Sequence, residues 1–581
     1  MITALTEQET DLMKKRGFAT EEEMLEYLNC PVEGLPRFSS LLNGEALLRG
    51  ILEAIAQNDP ITIYGDYDAD GIMAMTILYQ GLTRLGAGRV GWFANDRFRN
   101  GYSITPESLK DCLAAFPDTR VILTCDNGIG AVEAWEKALQ LGIRVFVTDH
   151  HEQAPDRILP EGILAVCEKS VMQKERFLEE GREAEDFCGA ELARRLVLEL
   201  FERKGIAPLQ ETFLHGLLAY SGLATVTDVV PLHAGNRAVL REAVQIIRRD
   251  RGIWRRFHRF LMSPNLPQEK LDEDAFGYYF GPAINAPGRL SGSVKLPMQA
   301  LLAGEDESAD ELLMQMAKLN NDRKTFTGED LEFCKKEILK NGYEKDPIIL
   351  IAADHLREGI NGLTAGKLCE QYKVPVIVLG QSENPAIYKG SARSTDEVDI
   401  FRLLYSCRDL LTAFGGHPKA AGLSVEKEKI AQLRRLLIER SAKSGSDKGP
   451  AEKKADFYMT PEKLSARWIQ NYRSAVERLH PFGEGFEQPK IYFEGQASKI
   501  YLMKNDLHAK AMFAELSEDQ KEVAMLLWNK GALCKEYLKA HSWQPPYIRG
   551  YVKNPDINEF NGRVSCQVVE EDVEFGSRRA E

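Results

Sequence analysis

Three short stretches concentrate side chains able to hold a divalent cation. GDYDADG supplies Asp66, Asp68 and Asp70, CDNG supplies Asp126, and DHHE supplies Asp149, His150 and His151. Each directly follows an apolar run of the kind that forms a buried strand, at 61–64, 121–124 and 145–148. Taken singly, an aspartate after a strand is an ordinary helix N-cap, and Asp70-Gly71 is an ordinary turn. Brought together, the carboxylates would repel one another unless cations neutralised them. Oxygen-rich ligands with one or two imidazoles suit Mn²⁺ or Mg²⁺. Two such ions about 3.5–4 Å apart activate water and neutralise charge building at phosphorus, so the expected chemistry is phosphoester hydrolysis. The chain has no GxxxxGK[ST] loop, and a nucleotide-driven motor is therefore not supported.

The elements that must position these residues alternate between strand and helix. A further strand is expected at 90–93, and amphipathic helices at 73–85 and 131–141. Such alternation predicts an α/β fold with a parallel sheet covered on both faces, and ligands beyond the carboxyl ends of its strands. The expected organisation is a helical segment over 1–50, a catalytic domain over 51–300, a connecting helix over 301–341 and a second α/β domain over 342–440. PIILIAAD and VPVIVLG supply strands of that second domain. SAKSGSDKGPAEKKA (441–455) reads as a linker, and 456–581 as a small β barrel or sandwich of short strands with Gly/Asn turns. The acidic cluster ends before residue 232, so the chemistry need not require that C-terminal part.

Length and composition set broader limits. A chain of 581 residues exceeds what one core usually holds. Hydrophobic and charged fractions of 44% and 28% are ordinary for globular proteins, and no apolar run approaches a membrane span. The N-terminus lacks the pattern of a secretory signal, which leads to the expectation of a cytoplasmic protein with no membrane partner. The formal charge of -13 does not favour nucleic acid on average, but local basic grooves suffice for binding. Ten cysteines without a CxxC pair argue against a thiolate zinc site, and Cys125 and Cys566 are expected to be buried. IIRRDRGIWRRFHRF (246–260) fits either a strand-lining surface or an amphipathic helix with Trp254, Phe257 and Phe260 in the core. Lys318, Arg323 and Lys324 are expected on a solvated helix face, and His215, His233 and His480 are expected to be structural.

These motifs resemble the DHH phosphoesterase family, whose signature stands here as Asp149-His150-His151. IYGDYDADGI (63–72), CDNGI (125–129), TDHH (148–151) and SGLATVTDVVPL (221–232) match four of its blocks. The resemblance implies Asp68, Asp70, Asp126, His150 and Asp228 as metal ligands. It places Asp66 and Asp149 in or beside that shell, and His151 against the scissile phosphate. NDRFRNGYS (95–103), GSARS (390–394) and GGHPKAAGLS (415–424) are similar to segments of the family's RecJ-like branch, 5′→3′ single-strand-specific exonucleases with a DHHA1-type second domain. By that similarity Arg97, Ser391 and Arg393 hold the terminal 5′-phosphate, with Arg289, Gly415 and Gly416 also at the substrate. His417 approaches the metals from across the cleft. Gly390, Gly415 and Gly416 would let backbone N–H groups approach phosphate oxygens, and arginine grips phosphate in a bidentate fork.

LHPFGEGFEQP (479–489) and NEFNGRVSCQVVE (558–570) resemble the two ends of the branch's oligonucleotide-binding (OB) barrel, with Tyr501, Lys504, His508 and Lys510 as candidate contacts. The branch implies two Mn²⁺ or Mg²⁺ ions, single-stranded DNA as substrate, and a single-strand-binding protein or helicase as partner. The chain departs from the family at Ala283, Arg357 and Cys167-Glu168, which bears on substrate grip. Alternatives are a phosphodiesterase of short RNA oligonucleotides or cyclic dinucleotides, which 456–581 disfavours, and a non-catalytic strand-binding scaffold, which the complete ligand set disfavours.

Overall fold

The structure is a computed structural model, and it describes residues 2–181, 183–206, 210–258, 267–303, 307–444, 455–519, 521–560 and 563–576. The chain forms two compact units. One gathers Met1–Pro31, Pro231–Ala238 and Glu452–Glu581; the other holds Val32–Val230 and Val239–Ala451.

In the larger unit, β1 (Ile61–Gly65), β2 (Val90–Ala94), β3 (Val121–Cys125), β4 (Arg144–Thr148) and β5 (Leu164–Val166) form a parallel sheet in the order β2-β1-β3-β4-β5. β1 and β3 are buried at every position, which is why they read as unbroken apolar runs. The helices Ala69–Arg84, Pro106–Ala115 and Val132–Gln140 connect the strands. Tyr64, Ile122, Trp135, Val145 and Val147 share one core below the sheet's functional edge. The order sets β1, β3 and β4 side by side, and Gly65 pairs with Cys125, so Asp66 and Asp126 leave the sheet as neighbours.

A π-helical turn, Phe276–Phe280, runs into the helix Gly281–Ser291. The helix Glu307–Asn341, about 50 Å long by its 35 residues, then leads to a second sheet. There β6 (Ile349–Ala353), β7 (Val376–Gln381), β8 (Ile387–Arg393), β9 (Leu411–His417) and β10 (Ala420–Glu426) take the order β6-β7-β8-β10-β9. Only β6 and β7 are parallel; the other pairings are antiparallel. Successive residues of β7 enter opposite cores, Ile377 and Leu379 on one face and Val376 and Val378 on the other. Gly390 is required by this sheet, because a Cβ there would fall 1.9 Å from the Val378 carbonyl oxygen. Arg357, a departure from the family pattern, braces the long helix: it bonds Asp330 at 2.6 Å and Glu329 at 3.0 Å and covers the Phe326 ring.

In the smaller unit, β11 (Phe457–Met459), β12 (Ile491–Met503), β13 (His508–Phe513), β14 (Glu522–Leu527), β15 (Tyr547–Phe560) and β16 (Arg563–Gly576) run β11-β12-β13-β14-β16-β15. Pairing of β15 back to β12 closes the ring into a barrel around Phe493, Met525, Ile548 and Val568. The barrel is not a self-contained appendage. Arg16 makes a two-pronged ion pair with Asp456, and Arg478 pairs with Glu9 at 3.1 Å. The guanidinium of Arg237 donates to the carbonyls of Leu28, Leu479 and His480, at 3.0, 3.0 and 2.8 Å. His508 is buried and its Nδ1 accepts from the Asn529 N–H, so it is spent on the fold, whereas Tyr501 stands exposed.

Cys125 and Cys566 are both fully buried, and His215 bonds Asp250 at 2.8 Å. Phe257 is in the core against Phe280, in accord with the amphipathic-helix alternative; the side chains of Trp254 and Phe260, like most of 441–455, lie outside the described residues. Among the described residues no helix is long and apolar enough to cross a membrane.

Candidate metal centre and phosphate pocket

Three overlapping sets of ligand atoms lie at the carboxyl edge of the first sheet: Asp66, Asp68 and Asp126; Asp126, His150 and His151; and Asp70, His150 and Asp228. Within each set the atoms are no more than 4.8 Å apart. His150 Nε2 is 3.0 Å from Asp126, 3.4 Å from Asp228 and 3.6 Å from Asp70. Asp66, Asp70, Asp126 and His150 are all buried.

Local sequence explains the placement. Asp68 caps the helix Ala69–Arg84, accepting from the N–H groups of Asp70 and Gly71, so the ordinary capping role and the cluster coexist. Gly71 is required because a Cβ would lie 2.5 Å from the Asp66 carbonyl oxygen. Asp70 accepts from the N–H groups of Gly189 and Ala190, the first turn of the helix Gly189–Arg203. Asp126 takes a left-handed backbone with φ of 57°, which aspartate tolerates better than most residues. Asp228 closes the helix Glu211–Thr227.

The electrostatics are those of a site built for cations. Burial first, then neighbouring carboxylates, raises the pKa of Asp66 and Asp126 well above the usual range, and raises those of Asp70 and Asp228 as well. Burial and the nearby His151 push His150 down to about 3, leaving its imidazole neutral and able to ligate. Asp66 Oδ1 and His150 Nδ1 are buried without a hydrogen-bond partner. Oxygen donors, a neutral imidazole and partnerless polar atoms fit hard or borderline divalent ions.

Asp149 is used differently. Its Oδ1 accepts from the N–H groups of His150 and His151 and lies 2.7 Å from His151 Nδ1; its Oδ2 accepts from the Ile129 N–H. Burial would raise its pKa, but the two histidines and these bonds bring it down to about 2. Asp149 therefore aims the His151 ring. On the far side of that ring, Nε2 is 2.7 Å from the Tyr102 hydroxyl. Tyr102 stands inside NDRFRNGYS, but nothing about its type or spacing pointed to that contact.

A second cluster consists of guanidiniums. Arg97 lies over the Tyr67 ring at 5.0 Å, in a loop organised by Asn95 and Asp96. Arg289 ends the helix Gly281–Ser291; burial, then repulsion from Arg97 and Arg323, takes its pKa down to about 9, with Asp68 opposing and Arg393 adding to the fall. Arg393 is lowered by burial and by Arg97. Among the described residues, none of Arg97, Arg289, Arg323 and Arg393 forms an ion pair with a carboxylate. A Cβ on Gly362 would lie 2.9 Å from Arg393 Nη2 and 3.3 Å from Ser391 Oγ, so both face the first turn of the helix Asn361–Tyr372. Helix N-termini favour anions.

Arg323 corrects the expectation of a solvated face. It is half-buried, and its Nε and Nη2 both donate to Asn320 Oδ1, while Lys318 and Lys324 are exposed. The remaining candidates stand apart. Gly415 faces open space, and Gly416 takes φ of 143° within the β9–β10 hairpin. His417, exposed at the end of β9, is outside the three ligand groups. Ala283 is fully buried, Cys167 Sγ lies 3.3 Å from the His151 carbonyl, and Glu168 accepts from the Asp186 N–H.

Comparison with known proteins gives consistent matches along the chain. Residues 60–220 match the DHH family, N-terminal domain; 346–443 match the DHHA1 domain; and 455–572 match the RecJ OB domain. The single-stranded-DNA-specific exonuclease RecJ of Bacillus subtilis is 28% identical over 98% of this chain and 69% of that protein. The crystal structure of Thermus thermophilus RecJ in complex with Mn²⁺ shares the fold, with a TM-score of 0.76 and 23% identity over 98% of this chain and 76% of that one. A crystal structure of exonuclease RecJ bound to manganese has a TM-score of 0.57 and 26% identity, over 70% of this chain and 95% of that one.

Proposed function

Because the chain belongs to the DHH/DHHA1 phosphoesterase family, in its RecJ-like branch, we propose that it hydrolyses single-stranded DNA from a 5′ end to mononucleotides. The observation that carries this is the pairing of two clusters of opposite character in one unit: buried carboxylates with a neutral imidazole, and four arginines that form no ion pair with a carboxylate among the described residues. The first suits divalent ions, the second the phosphates of a strand end.

Asp66, Asp68, Asp70, Asp126, His150 and Asp228 would hold two Mn²⁺ or Mg²⁺ ions, which when bound neutralise charge on the reacting phosphate and acidify water. The chain's own residues do the rest. Arg393, Ser391, Arg97 and the N–H groups opening the helix Asn361–Tyr372 grip the terminal phosphate and set the register of cleavage. Arg289, whose charge interacts with both Asp68 and Arg97, bridges toward the next phosphate. His151, held by Asp149 and Tyr102, presents a fixed ring to the phosphoryl oxygens. Gly415, Gly416 and His417 are assigned to the substrate by the family resemblance alone.

This activity belongs to DNA repair and recombination in the cytoplasm, with a helicase to supply strands and a single-strand-binding protein to hold them. Hydrolysis of end-labelled single-stranded DNA, duplex DNA and RNA with Mn²⁺ tests the reading. Release of mononucleotides from the 5′ end of single-stranded DNA is expected; preference for RNA or duplex would overturn it.

A further inference from the structure

Four of the five residues in the π-helical turn Phe276–Phe280 are aromatic, and they divide sharply. Phe276 and Phe280 are fully buried, the latter packed on Phe257. Tyr278 and Tyr279 are 71% and 40% exposed. The core therefore accounts for the phenylalanines and leaves the adjacent tyrosines unexplained. π-helical turns are rare and often mark functional positions.

The turn sits against the metal centre's own framework. A Cβ on Gly277 would lie 3.5 Å from Val226, and one on Gly281 only 2.2 Å from Thr227. Those residues form the last turn before Asp228, so the tyrosines are seated on the helix end that delivers this ligand. In the other direction, the continuous helix Gly281–Ser291 carries Arg289, about 15 Å away by its length. Arg289 interacts with Asp68 and with the arginines of the terminal-phosphate pocket. Asp228 groups with Asp70 and His150, and Asp68 acts on it as well. A strand whose 5′ end lies among the arginines, and which passes Asp68 and then Asp228, reaches the helix end that carries the tyrosines.

We propose that Tyr278 and Tyr279 form a stacking step for a nucleobase on the uncleaved, 3′ side of the scissile phosphate. The inference rests on the proposed exonuclease reading and adds a subsite to it. An aromatic ring holds any base by its face, so the contact adds grip without sequence preference.

The test uses the full-length protein with Mn²⁺ and 5′-phosphorylated oligonucleotides of increasing length. Tyr278→Ala and Tyr279→Ala are expected to raise KM for strands long enough to reach the turn by roughly 5- to 150-fold, the loss of one stacked base, with kcat moving far less. Tyr278→Phe and Tyr279→Phe should restore KM, since the ring face remains. With Ca²⁺ replacing Mn²⁺, 2-aminopurine placed successively along the strand should be quenched at one position beyond the first phosphodiester, and that quenching should vanish in the alanine variants. Unchanged KM in both alanine variants, or equal loss in the alanine and phenylalanine variants, overturns the stacking step and leaves a protein-docking face as the alternative. A wild-type protein that cleaves no single-stranded DNA overturns the exonuclease reading itself.

Discussion

Replacing Arg393 by alanine separates a functional charge from a structural one. Among the described residues the Arg393 guanidinium makes one hydrogen bond, from Nη1 to the Ala392 carbonyl at 2.8 Å. Burial and the neighbouring Arg97 both act against its charge. The fold therefore gains little from this guanidinium, and its removal should leave the melting temperature unchanged or raise it. Substrate should respond in the opposite direction. A charge-assisted bond to a terminal phosphate contributes about 1.5–3 kcal/mol, or roughly 10- to 150-fold in kcat/KM. A 5′-hydroxyl end offers no such partner, so its hydrolysis should fall much less. The assay compares kcat/KM on matched 5′-phosphorylated and 5′-hydroxyl strands with Mn²⁺, alongside thermal unfolding of both proteins. Equal losses on the two ends, or a lower melting temperature that accounts for the loss, would refute the assignment of Arg393 to the phosphate pocket.

Asp126→Ala should abolish hydrolysis while strand binding persists, because Asp126 belongs to two of the three ligand groups; activity above about a tenth of wild type at saturating Mn²⁺ would remove it from the essential set. Metal-free protein should lose stability as pH rises. Asp70 and Asp228 are raised to about 7 and about 9, so each folded carboxyl keeps a proton that the unfolded chain has released above about pH 4. Each therefore costs stability at up to about 1.4 kcal/mol per pH unit until its folded pKa is passed. Added Mn²⁺ should raise the melting temperature more at pH 8 than at pH 5.5, and a pH-independent increment would count against a carboxylate metal site. Deleting 456–581 should destabilise the remainder rather than merely weaken strand binding. It removes the Leu479 and His480 carbonyls that accept from the buried Arg237 guanidinium, and a hydrogen bond to a charged group contributes about 1.5–3 kcal/mol. A truncated chain with an unchanged melting temperature would show that Pro231–Ala238 does not depend on the barrel.

The convergence of the candidate metal ligands was legible because three of the acidic stretches follow apolar runs that admit only one kind of sheet. Asp66, Asp126 and Asp149 each end a buried strand, and parallel order alone brings them to one edge. Asp228 carries no such local signal, since it ends a helix, and only the family resemblance singled it out. Arg323 was misread for a related reason. A helix of 35 residues has exposed and covered faces, and its partner Asn320, three residues earlier, is a contact too common to mark a site. Gly390 is ambiguous in the sequence, because strand packing and phosphate approach both demand a missing Cβ, and the structure displays the packing demand. The three-part construction of the barrel unit was not legible at all. It depends on pairings such as Arg16 with Asp456 that join residues 440 positions apart.

That construction has a consequence for how the protein is made. The first 31 residues leave the ribosome before the rest of their unit, and the long-range partners of Lys15, Arg16 and Glu9 include Asp456 and Arg478. At about 5–20 residues per second, the two short leading helices wait roughly 20–90 s for the rest of their unit. Pro231–Ala238 waits as well, on the carbonyls of Leu479 and His480. The sheet that bears the metal ligands can close while both segments are still without a core. Assembly is thus vectorial for the larger unit and retrospective for the smaller one.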